Sequence, residues 1–108
     1  MKIESKKIRD SARGEACSMQ IAGICNFNPE STVFAHLPDE SNGMGKKSDD
    51  ISGCFSCDSC HSAVDGRKQA NWGVDAWCEF QNHKEFYMRR AMVRTWRRLI
   101  EMGVVVIK

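Results

Sequence analysis

The chain has 108 residues, 42% of them hydrophobic and 28% charged, with a formal net charge of +2. That size and composition describe one ordinary soluble globular domain with a modest core, and no run approaches the roughly 18 apolar residues of a membrane span. The start, MKIESKKIRDSARGE, has no apolar segment after its lysines, which excludes a secretory signal and makes the cytoplasm the expected compartment.

In chain order, residues 2–15 are polar and basic and fit a short helix or arm. CSMQIAGIC, from Cys17 to Cys25, reads as a short strand and a tight turn, with Gly23 letting the chain bend back. NFNPEST is a turn cluster, and the apolar run Val33 to Leu37, which holds His36, fits a strand. Residues 38–50, with a proline, two glycines and many small polar groups, form a loop. Ile51 to Phe55 reads as a second strand, and Cys57 opens a turn into a helix that begins near Asp58 or Ser59 and ends near Gly66. Further helices are expected over 74–82 and 84–102. In the last, Met88, Met92, Trp96 and Leu99 recur at helical spacing and should face the core. Gly103 is a stop signal, and VVVIK should make a terminal strand.

Six cysteines in a reducing compartment need a reason other than disulfides. Four of them form two separated pairs, Cys17-x7-Cys25 and Cys57-x2-Cys60, which is the pattern of a metal site. A zinc ion takes four thiolates in a tetrahedron, and a Cys-x2-Cys turn is its commonest half-site. The first pair supplies the other half if its intervening residues fold back as a hairpin. The competing reading is a set of buried free thiols, and Cys54-x2-Cys57 is a competing half-site; Cys60 is preferred because it falls at a helix start. Cys78, beside Trp77, reads as a core residue.

Three other features carry chemistry. His61 and Asp65 are four apart on a helix, so both side chains share one face and can bridge a cation or simply each other. His36 ends an apolar strand before a polar loop. Lys84, Arg89, Arg90, Arg94, Arg97 and Arg98 stand against Glu85 alone over 84–98, while the segment from Glu30 to Asp65 is mostly acidic. Separated signs fit a polyanion docked on one surface, although arginines on a helix are equally a solvated face. His83 has no assigned role.

A cysteine pair, a strand ending in histidine, a polar loop, and then Cys-x2-Cys-His opening a helix resembles the HNH nucleases, whose core is a ββα-metal motif. CNFNPESTVFAHL with SCDSCHSAVD is similar to the YbcO-type nucleases of lambdoid phages and prophages, over about Arg13 to Asp65. The resemblance implies an α+β fold: a zinc-stapled HNH-like domain spanning 1–108, with its core at about 13–66 and a helical part at about 70–102. It implies that His36 is the general base that activates water, and that His61 is a ligand of a catalytic divalent metal, with Asp65 as a further ligand. Where the family often has an acidic residue before the first histidine, this chain has Ala35. For the residue that orients the base, Asp50 is the candidate and Asn42 the alternative.

The expected function is therefore metal-dependent hydrolysis of DNA phosphodiester bonds inside a bacterial host. It would use one structural zinc on Cys17, Cys25, Cys57 and Cys60 and catalytic Mg²⁺ or Mn²⁺ at His61 and Asp65, with phosphates held by Arg89, Arg90, Arg94, Arg97 and Arg98. The alternatives are a non-catalytic zinc module that binds nucleic acid, and a phage-encoded interaction protein that borrowed the fold. His36, His61 and Asp65 should converge on one catalytic centre distinct from the zinc.

Overall fold

The structure, a computed structural model, describes residues 3–37 and 49–108. Their order is α1 (Lys6–Asp10), a 3-10 turn (Pro29–Ser31), β1 (Val33–His36), β2 (Gly53–Ser56), α2 (Asp58–Val64), α3 (Val74–Asn82) and α4 (Lys84–Glu101). The result is a small α+β protein: one two-stranded sheet and four helices among the described residues.

β1 and β2 are antiparallel, with Val33 opposite Ser56 and His36 opposite Gly53. Two isolated strands are marginal in water, so the exposed edge of β2 needs a cover. Two other segments supply it. The Phe55 N–H donates to Thr95 Oγ1 of α4 at 3.0 Å, and the Phe55 carbonyl accepts from Ser18 N–H at 2.8 Å. Thr95 and Ser18 are themselves joined through their hydroxyls at 3.2 Å. A buried threonine on a helix thus serves as a strand partner, and it explains one polar residue in an otherwise apolar stripe.

That stripe on α4 is Met88, Ala91, Thr95 and Leu99, all buried, while Met92 and Trp96 pack from half-buried positions. The expected register of the helix holds, with Ala91 and Thr95 at the centre of the face. One core cluster gathers the cysteines other than Cys78 with Met19, Ile21, Ile24, Leu37, Phe80 and Met88. A second joins Ile8 and Ala12 to Phe55 and Leu99, which fastens the N-terminal segment onto the sheet.

Helix ends follow local chemistry. The Ser5 hydroxyl caps α1 by accepting from Ile8 N–H, and the Cys57 sulfur caps α2 by accepting from Cys60 N–H. Gly66 and Gly103, at φ +80° and +73°, reverse the chain after α2 and α4. Behind them Arg67 N–H returns to the Ser62 carbonyl and Val104 N–H to the Leu99 carbonyl.

Four expectations need correction. Residues 17–25 make the expected turn at Gly23, φ +75°, but not the expected strand before it, where Gln20 at φ +47° bends the chain again. Gly23 is also required by space, since a Cβ there would stand 2.7 Å from that of Ala76. The terminal VVVIK forms no strand, because the β2 edge is already taken by Ser18 and Thr95; Val106 and Ile107 are exposed. β2 begins at Gly53 rather than Ile51, whose carbonyl instead accepts from Trp96 Nε1. Cys78 is exposed on α3, not in the core; the face of α3 that is buried centres on Phe80.

Candidate functional site

Cys17, Cys25, Cys57 and Cys60 come together so that their sulfurs all lie within 4.8 Å of one another. Three of the four are buried. Four sulfurs about 2.3 Å from one ion would be about 3.8 Å apart at the edges of the tetrahedron. The Cys25 and Cys57 sulfurs are 3.7 Å apart. Backbone N–H groups of Gln20 and Cys60 point at the Cys17 and Cys57 sulfurs at 3.5 and 3.3 Å, as suits thiolates. The donor set and spacing therefore fit a metal such as zinc, and the turns through Gln20 and Gly23 exist to bring Cys17 and Cys25 into it.

The thiols also show why such a cluster wants a cation. Burial, with Cys17 and Cys57 beside it, pushes Cys25 up to about 12, against one opposing backbone N–H. Cys57 is held far down by sulfhydryl bonds from Cys17 and Cys60, whereas Cys60 is driven up by its own bonds to Cys17 and Cys57 and by burial. One sulfur can carry charge only while its neighbours keep their protons. Cys54, the competing ligand, lies outside the cluster, buried opposite Ala35, with its thiol raised by desolvation.

A second constellation surrounds His36, at the end of β1. Its Nε2 lies 2.7 Å from Oδ1 of Asp50. Asp50 is 3% exposed, and its other oxygen, Oδ2, accepts from Arg9 Nη1 at 2.6 Å and from the Ser5 backbone N–H. Its own N–H donates to the Ile3 carbonyl at 2.9 Å. Burial opposes ionisation of this carboxyl, but the bonds from His36, Ser5 and Arg9 outweigh burial and hold it below the ordinary carboxylate value. A carboxylate only accepts, so His36 donates from Nε2 and the lone pair of the neutral ring resides on Nδ1. The Phe34 ring meets the imidazole edge-on, with centroids 5.4 Å apart.

His61 and Asp65 stand on one face of α2, as their spacing dictates, with Nε2 and Oδ2 3.5 Å apart. This pair is looser and wetter: the side chains are 31% and 44% exposed, and the same Asp65 oxygen accepts from Arg67 at 3.0 Å. Among the described residues the four cysteines are the one cluster of three or more metal-capable side chains, and no hydrogen bond joins the two His–Asp pairs. Asn42 lies outside the described residues.

The arginines divide. Arg90 donates to the Met19 carbonyl at 2.8 Å and lies over the rings of Phe86 and Tyr87, each centroid 5.2 Å away. Arg94 donates to the Ser18 carbonyl at 3.2 Å, and Arg98 pairs with Glu15 at 2.6 Å. These three clamp the 15–20 segment onto α4. Arg89 and Arg97 are exposed. Sequence reasoning missed Arg9 and Ser5, which sit 41 and 45 positions from Asp50 in a polar segment with no motif.

A four-sulfur cluster able to hold a metal, together with a histidine fixed by a buried carboxylate at the far end of the same strand pair, defines a small metal-capable α+β protein. The chain belongs to the Putative nuclease YbcO family, whose pattern matches residues 6–104. It is 39% identical over 61 residues to Putative nuclease YbcO of Escherichia coli K12, and equally to its namesake in Enterobacteria phage 82. Those matches span 56% of this chain and 64% of the length of each relative. The solved structure of a "putative bacteriophage protein" from Escherichia coli K-12 MG1655 superposes on 90% of this chain and 100% of its own, with a TM-score of 0.61 and 28% identity. Among the described residues no helix is long and apolar enough to cross a membrane.

Proposed function

We propose that this protein is a phage-associated, metal-dependent endonuclease of the HNH type that hydrolyses DNA phosphodiester bonds. The observation that carries the reading is the 2.7 Å bond from His36 to a buried, fully engaged Asp50 at the end of a strand. The family supports it through the nuclease name its members bear.

His36 is the general base. Asp50 fixes its ring through Nε2, and Nδ1 takes the proton from the attacking water. A histidine titrates close to neutral pH without special tuning, which suits that role. His61 and Asp65 are the residues that would hold Mg²⁺ or Mn²⁺. Their donor atoms stand 3.5 Å apart on one face of α2, and a pair of protein ligands completed by water and phosphate is the habit of Mg²⁺. When bound, the ion supplies positive charge to the phosphorane and the leaving 3′ oxygen. The four cysteines would hold zinc as a staple for a core of this size. Arg89 and Arg97, exposed on α4, are the arginines left to meet phosphates, while Arg90, Arg94 and Arg98 serve the fold.

The test is incubation of the pure protein with supercoiled plasmid, with and without Mg²⁺ or Mn²⁺. Nicking that needs the metal and is lost in His36→Ala is the expected result. A gel shift with no cleavage under any metal would overturn the enzyme in favour of a zinc-containing binding module.

A further inference from the structure

A buried carboxylate against a histidine creates a problem for a base. Alone, it favours the imidazolium, and a protonated ring cannot accept a proton. The described surroundings of this pair contain one cation that meets the same carboxylate: Arg9, from α1, at 2.6 Å on Oδ2 while His36 occupies Oδ1. The Ser5 N–H adds a second bond to Oδ2, and the Asp50 N–H to the Ile3 carbonyl pins the backbone that carries it. Three contacts with residues 3–9 thus converge on one residue, two of them on its carboxylate. Among the described residues the ring that meets the imidazole, Phe34, is uncharged.

We propose that Arg9 is a positioning residue for His36, acting through the Asp50 carboxylate, so that the N-terminal segment is part of the base's machinery. Its guanidinium offsets the charge of Asp50, leaving a carboxylate that orients the imidazole without holding it protonated. Its bond also fixes the carboxylate plane, so that Oδ1 stays aimed at Nε2. Ile8 and Ala12 dock this segment on the sheet against Phe55 and Leu99, and that docking is what brings Arg9 and Ser5 to the Asp50 carboxylate. The inference rests on the reading of His36 as a base, and the experiment keeps the two apart.

The full chain, uniformly ¹⁵N-labelled and zinc-loaded, is compared as native protein, Arg9→Ala, Arg9→Gln and Arg9→Lys, with Lys6→Ala as control. Lys6 pairs with Asp10 on the exposed side of α1 and touches neither Asp50 nor His36. The ring nitrogens of His36 are read at fixed neutral pH, and plasmid nicking with Mn²⁺ is followed against pH. In Arg9→Ala and Arg9→Gln the ring signals move toward imidazolium values. The acidic limb of the rate profile then moves to higher pH by about half a unit, the effect of removing one cation under water-like screening. Arg9→Lys restores most of both, and Lys6→Ala changes neither. Glutamine keeps a donor for the carboxylate, so a folding failure of Arg9→Ala leaves the charge effect measurable. If the native protein never nicks, the nuclease reading falls while the ring signals still decide the role of Arg9. Ring signals unchanged by loss of the Arg9 charge overturn the proposal, whatever the rates do.

Discussion

The molecule contains the same pair of residue types twice, and the two copies behave differently. His36 and Asp50 meet at 2.7 Å with the carboxylate 3% exposed and saturated by Arg9 and Ser5. His61 and Asp65 stand 3.5 Å apart, both partly open to water, with Arg67 sharing the carboxylate. The first pair is built from residues 14 positions apart and braced by a third segment; the second comes free with one turn of helix. A proton-transfer pair needs a fixed tautomer and a shielded partner. A cation site for Mg²⁺ or Mn²⁺ needs open positions for water and phosphate. Construction, not composition, separates the proposed base from the proposed metal ligands.

The largest expected effect would abolish both pairs at once. Cys57 follows β2 and caps α2, so Cys57→Ser removes a proposed ligand at the hinge between the strand that faces His36 and the helix that carries His61. Metal binding and folding are coupled in small sites. Circular dichroism should show loss of most structure, and metal analysis should fall from one zinc per chain to none.

Next, alanine at the two aspartates should separate the pairs in denaturant. Asp50→Ala orphans the His36 and Arg9 donors and is expected to cost about 2–3 kcal/mol in urea unfolding. Asp65→Ala removes a surface pair and should cost less than about 1 kcal/mol. Equal costs would erase the contrast.

Acid sharpens it further. Asp50 is held below its ordinary value in the folded state, so its contribution is complete above the unfolded carboxylate range and disappears as pH falls through the lower folded value. The stability difference between native protein and Asp50→Asn should be constant down to about pH 4–5 and shrink below that. Unfolding midpoints across this range provide the check.

The smallest effects concern α4. Arg94→Ala loses a bond to the Ser18 carbonyl and should destabilise by about 0.5–1.5 kcal/mol. Arg97→Ala should stay within about 0.5 kcal/mol, yet reduce the slope of log affinity for duplex DNA against log salt by about 0.9. An unchanged slope would make Arg97 a solvated side chain only.

What the sequence revealed follows how local each feature is. The cysteine quartet, the α3 and α4 spans and the His61–Asp65 face were legible because ligand spacing, helical period and stop glycines are read within a few residues. The turn at Gly23 is legible from the glycine, but the strand expected before it is absent, since Met19, Ile21 and Ile24 are apolar for the sake of the core cluster, not of a sheet. Cys78 looked internal because it adjoins Trp77, but one helical step turned it outward. The arginines of α4 appeared uniform; only tertiary contact distinguishes Arg90, which meets the Met19 carbonyl, from Arg97, which is exposed. Asp50 could be named as a candidate, but its partners Arg9 and Ser5 required the fold.

The division of labour between the two pairs is tested most directly by titrating Mn²⁺ against the plasmid-nicking rate of native protein, Asp65→Ala and Asp50→Asn. The account predicts that Asp65→Ala raises the metal concentration for half-maximal rate and recovers much of the native plateau at high Mn²⁺. Asp50→Asn should lower the plateau and leave the half-maximal concentration in place. The reverse pattern, or identical curves for the two variants, would contradict it.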